Sequence, residues 1–339
     1  MIRTAPVVFR APLRALAALL VVTALASIAG AQSHPLIAKD TIRAKTHADD
    51  NANGNPWVPE LEFQVLGPLP SGSILWVDYG YPGKKSWVKK DCDTDSNILN
   101  QWLLATCNVD KKNAGSYAGP LDFSIHLRNE LESTDSVLYT GKIKVVKTIN
   151  PKNKETEYYV DEDWRLPIGY LYHDAARGLH IVMWFRGSPG GVKNFLFYQG
   201  KEIAKGENCG AGDDSDFNPS AEGWWELDCE FVGVYEDAQK AAAGDAPNFA
   251  ISHNPGNYEI KSLAGGKLAR VIKFSVTPAG KLDDSISAAN KIPRDRVIVP
   301  VQLVGNQGNW DRLAWKTGAY YNNPLTGFEA PAAPVAGAK

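Results

Sequence analysis

This sequence predicts an all-β protein: two tandem β-sandwich domains, immunoglobulin-like in kind, made by an internal duplication, with one disulfide each. Three observations carry that prediction. Short segments alternate apolar and polar residues with period two, as strands with one buried face do. Thirty Gly and 21 Pro punctuate the 339 residues with turns. Several short motifs recur once, in nearly the same order, further along the chain.

The length suits two ordinary domains, and 44% hydrophobic residues supply two cores. A net charge of −2 offers no broad basic field, which argues against nucleic acid as a partner.

Residues 1–31 read as a signal peptide. Arg3, Arg10 and Arg14 form a basic start, Ala15–Ala31 carries no charge, and Ala29-Gly30-Ala31 is a small-x-small cleavage site. The apolar run is shorter than the ~20 residues of a membrane span, so no span is expected in the mature chain. Cleavage would leave a formal charge of −5, because the three Arg are lost from −2. The expected location is secreted, periplasmic or at the cell surface. The absence of an Asn-x-Ser/Thr sequon without an intervening Pro fits a bacterial source.

All four Cys lie beyond the signal. An even count in an exported chain reads as two disulfides, and closeness in sequence favours Cys92–Cys107 and Cys209–Cys229.

The duplication is read from matched motifs. Trp102 and Trp224 each stand five residues before Cys107 and Cys229. Leu75-Trp76 is matched with Met183-Trp184, Pro120–His126 with Pro247–His253, and Gly141–Val145 with Gly266–Arg270. Leu166-Pro167-Ile168 is matched with Val299-Pro300-Val301. The units are then 56–157 and 158–325, joined by the polar stretch Thr148–Thr156. Residues 32–55 and 326–339 are polar or Ala/Pro-rich and are expected to be disordered.

Within the units, Glu60–Val65, Asp122–Ile125 and Lys142–Val145 alternate, and Val297–Val301 is β-branched. One short helix is expected, at Glu236–Ala243. The Cys spacings are too short for the inter-sheet bridge of an antibody domain, so each bridge should tie a hairpin or loop base.

Each Cys pair encloses an Asp-x-Asp-x-Asn triplet: Asp93, Asp95 and Asn97, then Asp214, Asp216 and Asn218. Hard oxygens at this spacing in a tight loop can converge on calcium. Neither triplet has the Gly or the bidentate Glu of an EF-hand, and an acidic turn bonding its own backbone is the plainer alternative.

Ten Trp suggest either cores or a sugar-binding face. Trp76, Trp102, Trp184 and Trp224 are expected in cores. Tyr81, Trp87 and Trp225 are the candidate binding aromatics, Tyr81 and Trp87 flanking a turn rich in Lys. No nucleophile elbow, metalloprotease helix or phosphate loop occurs. His173-Asp174 could hold a base and Asp161-Glu162-Asp163 a glycosidase acid. His126 and His253 are expected to be ordinary strand residues.

The resulting expectation is a non-catalytic two-domain protein that binds a polysaccharide or surface protein, or self-associates. Two similar modules would give avidity. An exported carbohydrate-active hydrolase and a purely structural filament or surface-layer subunit are the alternatives.

Overall fold

The computed structural model describes residues 37–48, 56–96, 102–149, 154–174, 178–186, 189, 191–211, 224–237, 248–292, 296–305 and 314–329. The chain is all-β. Nine strands come first: β1 (Ile37–Ala48), β2 (Trp57–Leu66), β3 (Ser73–Gly80), β4 (Ser86–Asp91), β5 (Asp93–Ser96), β6 (Trp102–Asn108), β7 (Gly119–Asn129), β8 (Thr134–Ile149) and β9 (Thr156–Val160). They form a four-stranded sheet, β1-β2-β6-β5, and a five-stranded sheet, β4-β3-β7-β8-β9. Period-two alternation decides which face is buried. Leu61, Phe63 and Val65 on β2 point inward, while Glu60, Glu62 and Gln64 lie between them on the outer face.

The second half contains β10 (Ile168–Asp174), β11 (Gly178–Arg186), β12 (Val192–Tyr198), β13 (Lys201–Lys205), β14 (Glu207–Ala211), β15 (Trp224–Val232), the short β16 (Val234–Tyr235) and β17 (Phe249–Ala250), then β18 (Gly256–Ala264), β19 (Lys267–Val276) and β20 (Val297–Leu303). Its main sheet runs β13-β12-β18-β19-β20-β10-β11-β15-β14. β20 makes the corner. Residues 297–300 pair with β10, and residues 301–303 pair with β19. One arm is therefore β10-β11-β15-β14 and the other β13-β12-β18-β19-β20. Strand for strand, this is the order of the first nine, with β16 and β17 inserted.

The disulfides are Cys92–Cys107 and Cys209–Cys229, with 15 and 20 residues of separation. Cys107 on β6 lies opposite Leu61 of β2, and Cys229 on β15 opposite Ile181 of β11. The first bridge ties β6 to Cys92, the residue between β4 and β5, and the second joins the paired strands β14 and β15.

The two cores differ. Leu171, Leu179, Ile181, Met183, Leu196, Phe231, Ile260 and Ile272 fill the second. The first, around Trp57, Leu61, Phe63, Val77, Phe123 and Ile125, continues past its own sheets to Trp164, Tyr170, Trp184, Tyr320, Tyr321 and Phe328. Two short helices flank this region, α1 (Ser285–Ala289) and α2 (Ala314–Gly318). From Ile37 onward the chain clusters as one compact unit. No described helix is long and apolar enough to cross a membrane.

Several sequence expectations need correction. Residues 32–55 include β1, which pairs with β2 and buries Ile37, Ala38, Ile42 and Ala44; polar neighbours masked an alternating strand. β9 completes the first five-stranded sheet, which therefore extends to Val160, past residue 157. In 326–339, Phe328 is buried and Thr326 exchanges hydrogen bonds with Asn290. Trp76 lies on β3 but Trp184 on β11, and Phe123 lies on β7 but Phe249 on β17, so these motifs hold unlike places. Ile168 and Pro300 are ladder neighbours, not counterparts. Residues 1–31, the triplet Asp214–Asn218, Asn97 and all of the expected helix beyond Asp237 lie outside the described residues.

Candidate binding site

The outer face of each five-stranded arm carries a groove. On the first, register alone sets two polar rows. Asp78 on β3 stands beside Ser124 on β7 and Thr140 on β8, and Gly80 stands beside Asp122 and Lys142. With Ser86, Asn322 and Asn323 these line a cavity of about 520 Å³. Its charges are matched. Lys89 lies 3.7 Å from Asp78 and Lys142 lies 3.6 Å from Asp122. The outer Oδ1 of Asp122 is enclosed and accepts no hydrogen bond.

The second groove is larger, about 650 Å³, and more apolar. Phe197, Glu259 and Lys273 form one row across β12, β18 and β19. Lys261 pairs with Glu259 at 3.0 Å and lies over the Phe197 ring at 4.6 Å. Ile286 of α1 and Pro300 of β20 supply the opposite wall.

The first groove depends on a strap from the C-terminal end. After α2, Tyr320, Tyr321 and Asn322 all take left-handed φ values, 45°, 53° and 80°. Such a run costs roughly 1–3 kcal/mol per residue and persists only when its surroundings hold it. Here they do. Lys142 N donates to Tyr321 O at 2.7 Å, an approach that leaves no room for a Cβ at Gly141. The Tyr139 hydroxyl donates to Tyr320 O, and Asn323 Nδ2 donates to Thr140 O at 3.3 Å. The Tyr321 hydroxyl donates to Glu162 Oε1 at 2.6 Å and accepts from Ala44 N at 2.9 Å.

Beneath the strap, Arg165 is fully enclosed. Its Nε lies 3.0 Å from Glu162, it donates to Ile42 O and the Tyr321 hydroxyl, and the rings of Trp164 and Trp184 lie over it at 4.5 and 5.2 Å. Burial opposes its charge, but Glu162 and the surrounding hydroxyls outweigh that and hold the guanidinium above its ordinary value. Burial likewise pushes Tyr139, Tyr170, Tyr320 and Tyr321 well up, with Glu162 adding to the effect on Tyr321.

The structure sorts the expected site residues. Tyr81 stacks on Trp87 at 5.2 Å and meets Tyr117 edge-on at 4.7 Å, over the buried Trp57. These rings largely cover one another. Trp225 packs on the second core, apart from them, its Nε1 enclosed without a hydrogen-bond partner. Asp93 and Asp95 lie exposed on the extended β5, facing Thr106 and Leu104 of β6. Among the described residues no group of three or more His, Cys, Asp or Glu is placed to hold a metal.

Asp161 joins Lys144 at 3.0 Å and Arg186 at 3.9 Å, Asp163 joins Arg186 at 3.5 Å, and Glu162 holds Arg165. Carboxylates each engaged by a cation in this way act as a staple between neighbouring elements. His126 bonds Ser124 at 2.7 Å and stacks on Trp76.

Sequence reading missed the strap and a second cluster. His180 Nδ1 meets Asp228 Oδ1 at 3.0 Å, with the Tyr172 hydroxyl bonded to both. Its members come from three strands, so no local spacing could reveal it.

No known protein family, curated protein or solved structure matches this chain.

Proposed function

We propose that this is an exported, non-catalytic protein of two duplicated modules that binds an extended polymer, a polysaccharide or a surface protein, at the cell surface. The observation that carries this reading is the shared strand order of the two halves, with an open groove on the corresponding outer face of each. Two faces held in one unit would engage one long ligand with avidity. An immunoglobulin-like ancestry for the module has support in the strand order. β1-β2-β6-β5 corresponds to an ABED sheet and β4-β3-β7-β8 to a C′CFG sheet, with β9 beyond. The second bridge, between the paired strands β14 and β15, departs from the inter-sheet bridge of antibody domains. Two disulfides fit an oxidising destination.

Three of the edge strands weigh against a filament built by edge pairing, although the edge strand β1 has 12 residues. β5 has four residues, including Asp93 and Asp95, while β13 and β14 have five each. Short, charged edges resist strand addition.

The test is binding of the labelled, exported chain to isolated envelope polysaccharide and surface-protein fractions of the producing cell. Saturable binding to either is expected, and binding to neither overturns the reading.

A further inference from the structure

We propose that the first groove is a composite saccharide site, completed by the C-terminal strap and selective for neutral polyhydroxylated units. The proposal rests on the polymer-binding reading and narrows it to one ligand class and one site.

The chemistry of the lining sets the class. Asp78 and Asp122 present carboxylates, Asn322 and Asn323 amides, and Ser124 and Thr140 hydroxyls. A carboxylate accepts from two hydroxyls at once, and an amide both donates and accepts, so this set matches neighbouring sugar hydroxyls. Both carboxylates already have a lysine, Lys89 and Lys142, which disfavours a cation and leaves the groove close to neutral. Asp122 Oδ1 lies 3.6 Å from Lys142 Nζ, so the groove wall carries an acceptor and a donor side by side. The cavity of about 520 Å³ falls within the usual range for ligand sites.

The backbone supplies the second argument. Three consecutive left-handed residues end at Asn322, whose φ is 80°. Tyr320 and Tyr321 spend their side chains on the junction, while Asn322 is exposed and lines the groove. The strained turn thus anchors two rings below and presents one amide above. Strain of this kind collects where a side chain must be held for a ligand.

A bound saccharide would then touch both ends of the chain, β3, β7 and β8 from the first module and the strap from the last residues. Ligand binding should stabilise the strap.

The experiment measures binding of the full exported chain to a soluble β-glucan, a galactomannan, a dextran and polygalacturonate by titration calorimetry, with Asn322→Gly and Asp122→Asn alongside. At least one neutral polysaccharide should bind and polygalacturonate should not. Asn322→Gly should weaken binding tenfold or more without lowering the melting temperature, because Gly accepts that φ. Asp122→Asn, which keeps the shape, should weaken it as well. Bound ligand should also slow proteolysis within residues 314–329. Unchanged affinity in both variants, or preference for polygalacturonate, overturns the proposal. So does envelope binding that no neutral polysaccharide reproduces, which would leave the broader reading standing. Absence of any envelope binding would remove both.

Discussion

The two sandwiches share a strand order and a disulfide position, yet they are filled by different chemistry. The second core is mostly aliphatic and takes in Tyr159 of β9. The first extends on its junction side to the Glu162–Arg165 pair, Trp184 and the strap tyrosines. One strand order thus encloses two different interiors. They also show where rigidity enters. Polar partners inside the junction have directional requirements that an aliphatic core lacks, so the junction admits one arrangement of the modules.

The largest expected effect tests that difference. Arg165→Met leaves Glu162 buried without its cation and should cost about 3–5 kcal/mol in thermal or denaturant unfolding. A loss no greater than that of an exposed substitution would break the distinction between junction and core. Next come the residues opposite the two cysteines. Leu61→Ala and Ile181→Ala should each cost about 2–5 kcal/mol, and a wide disparity would weaken the equivalence of β2 and β11. Replacing either Cys pair by Ser should lower stability by about 3 kcal/mol, nearly equally, since the enclosed loops are similar.

Tyr321→Phe should cost about 1–3 kcal/mol through the hydrogen bonds it ends. It should also change the alkaline limb. The phenol is raised in the folded protein by burial and then by Glu162. Its stabilising contribution is therefore complete below the unfolded value of about 10 and declines as pH rises above it. Melting temperatures recorded from pH 8 to 11 should fall less steeply in the variant. The smallest effect concerns calcium at the acidic triplets. Asp93 and Asp95 on an extended strand offer only part of the six to eight oxygens calcium takes. Millimolar calcium should raise stability by a few tenths of a kcal/mol, and EDTA should reverse it. An unchanged melting temperature would retire the ion.

What sequence could reveal follows from how local each signal is. Period-two alternation exposed β2, β7 and β8, and Cys spacing exposed both bridges, because each is written within a few residues. β1 escaped because its buried face, Ala38, Asp40, Ile42 and Ala44, includes a carboxylate and small residues, which hide the apolar alternation. Motif matching overreached with Trp76 and Trp184, since a lone Trp can sit on either sheet. The triplet of acids at 161–163 was visible, but its partners Arg165, Arg186 and Lys144 decide its role, and pairing across strands leaves no mark in spacing. Asn322 gave no signal at all. Its backbone is forced by contacts with Gly141 and Lys142, far back in the chain.

That distance has a consequence for when the molecule can form. Ala44 and Tyr321, which share a hydrogen bond, are separated by 277 residues. During synthesis the strands β1 to β9 emerge early but lack their closing pieces until residues 320–323 appear. Long-range closure of this kind is slow, and a module left open exposes apolar surface meanwhile. The first core is therefore complete only once β1 and the strap are both present, and folding of the whole chain waits on that closure.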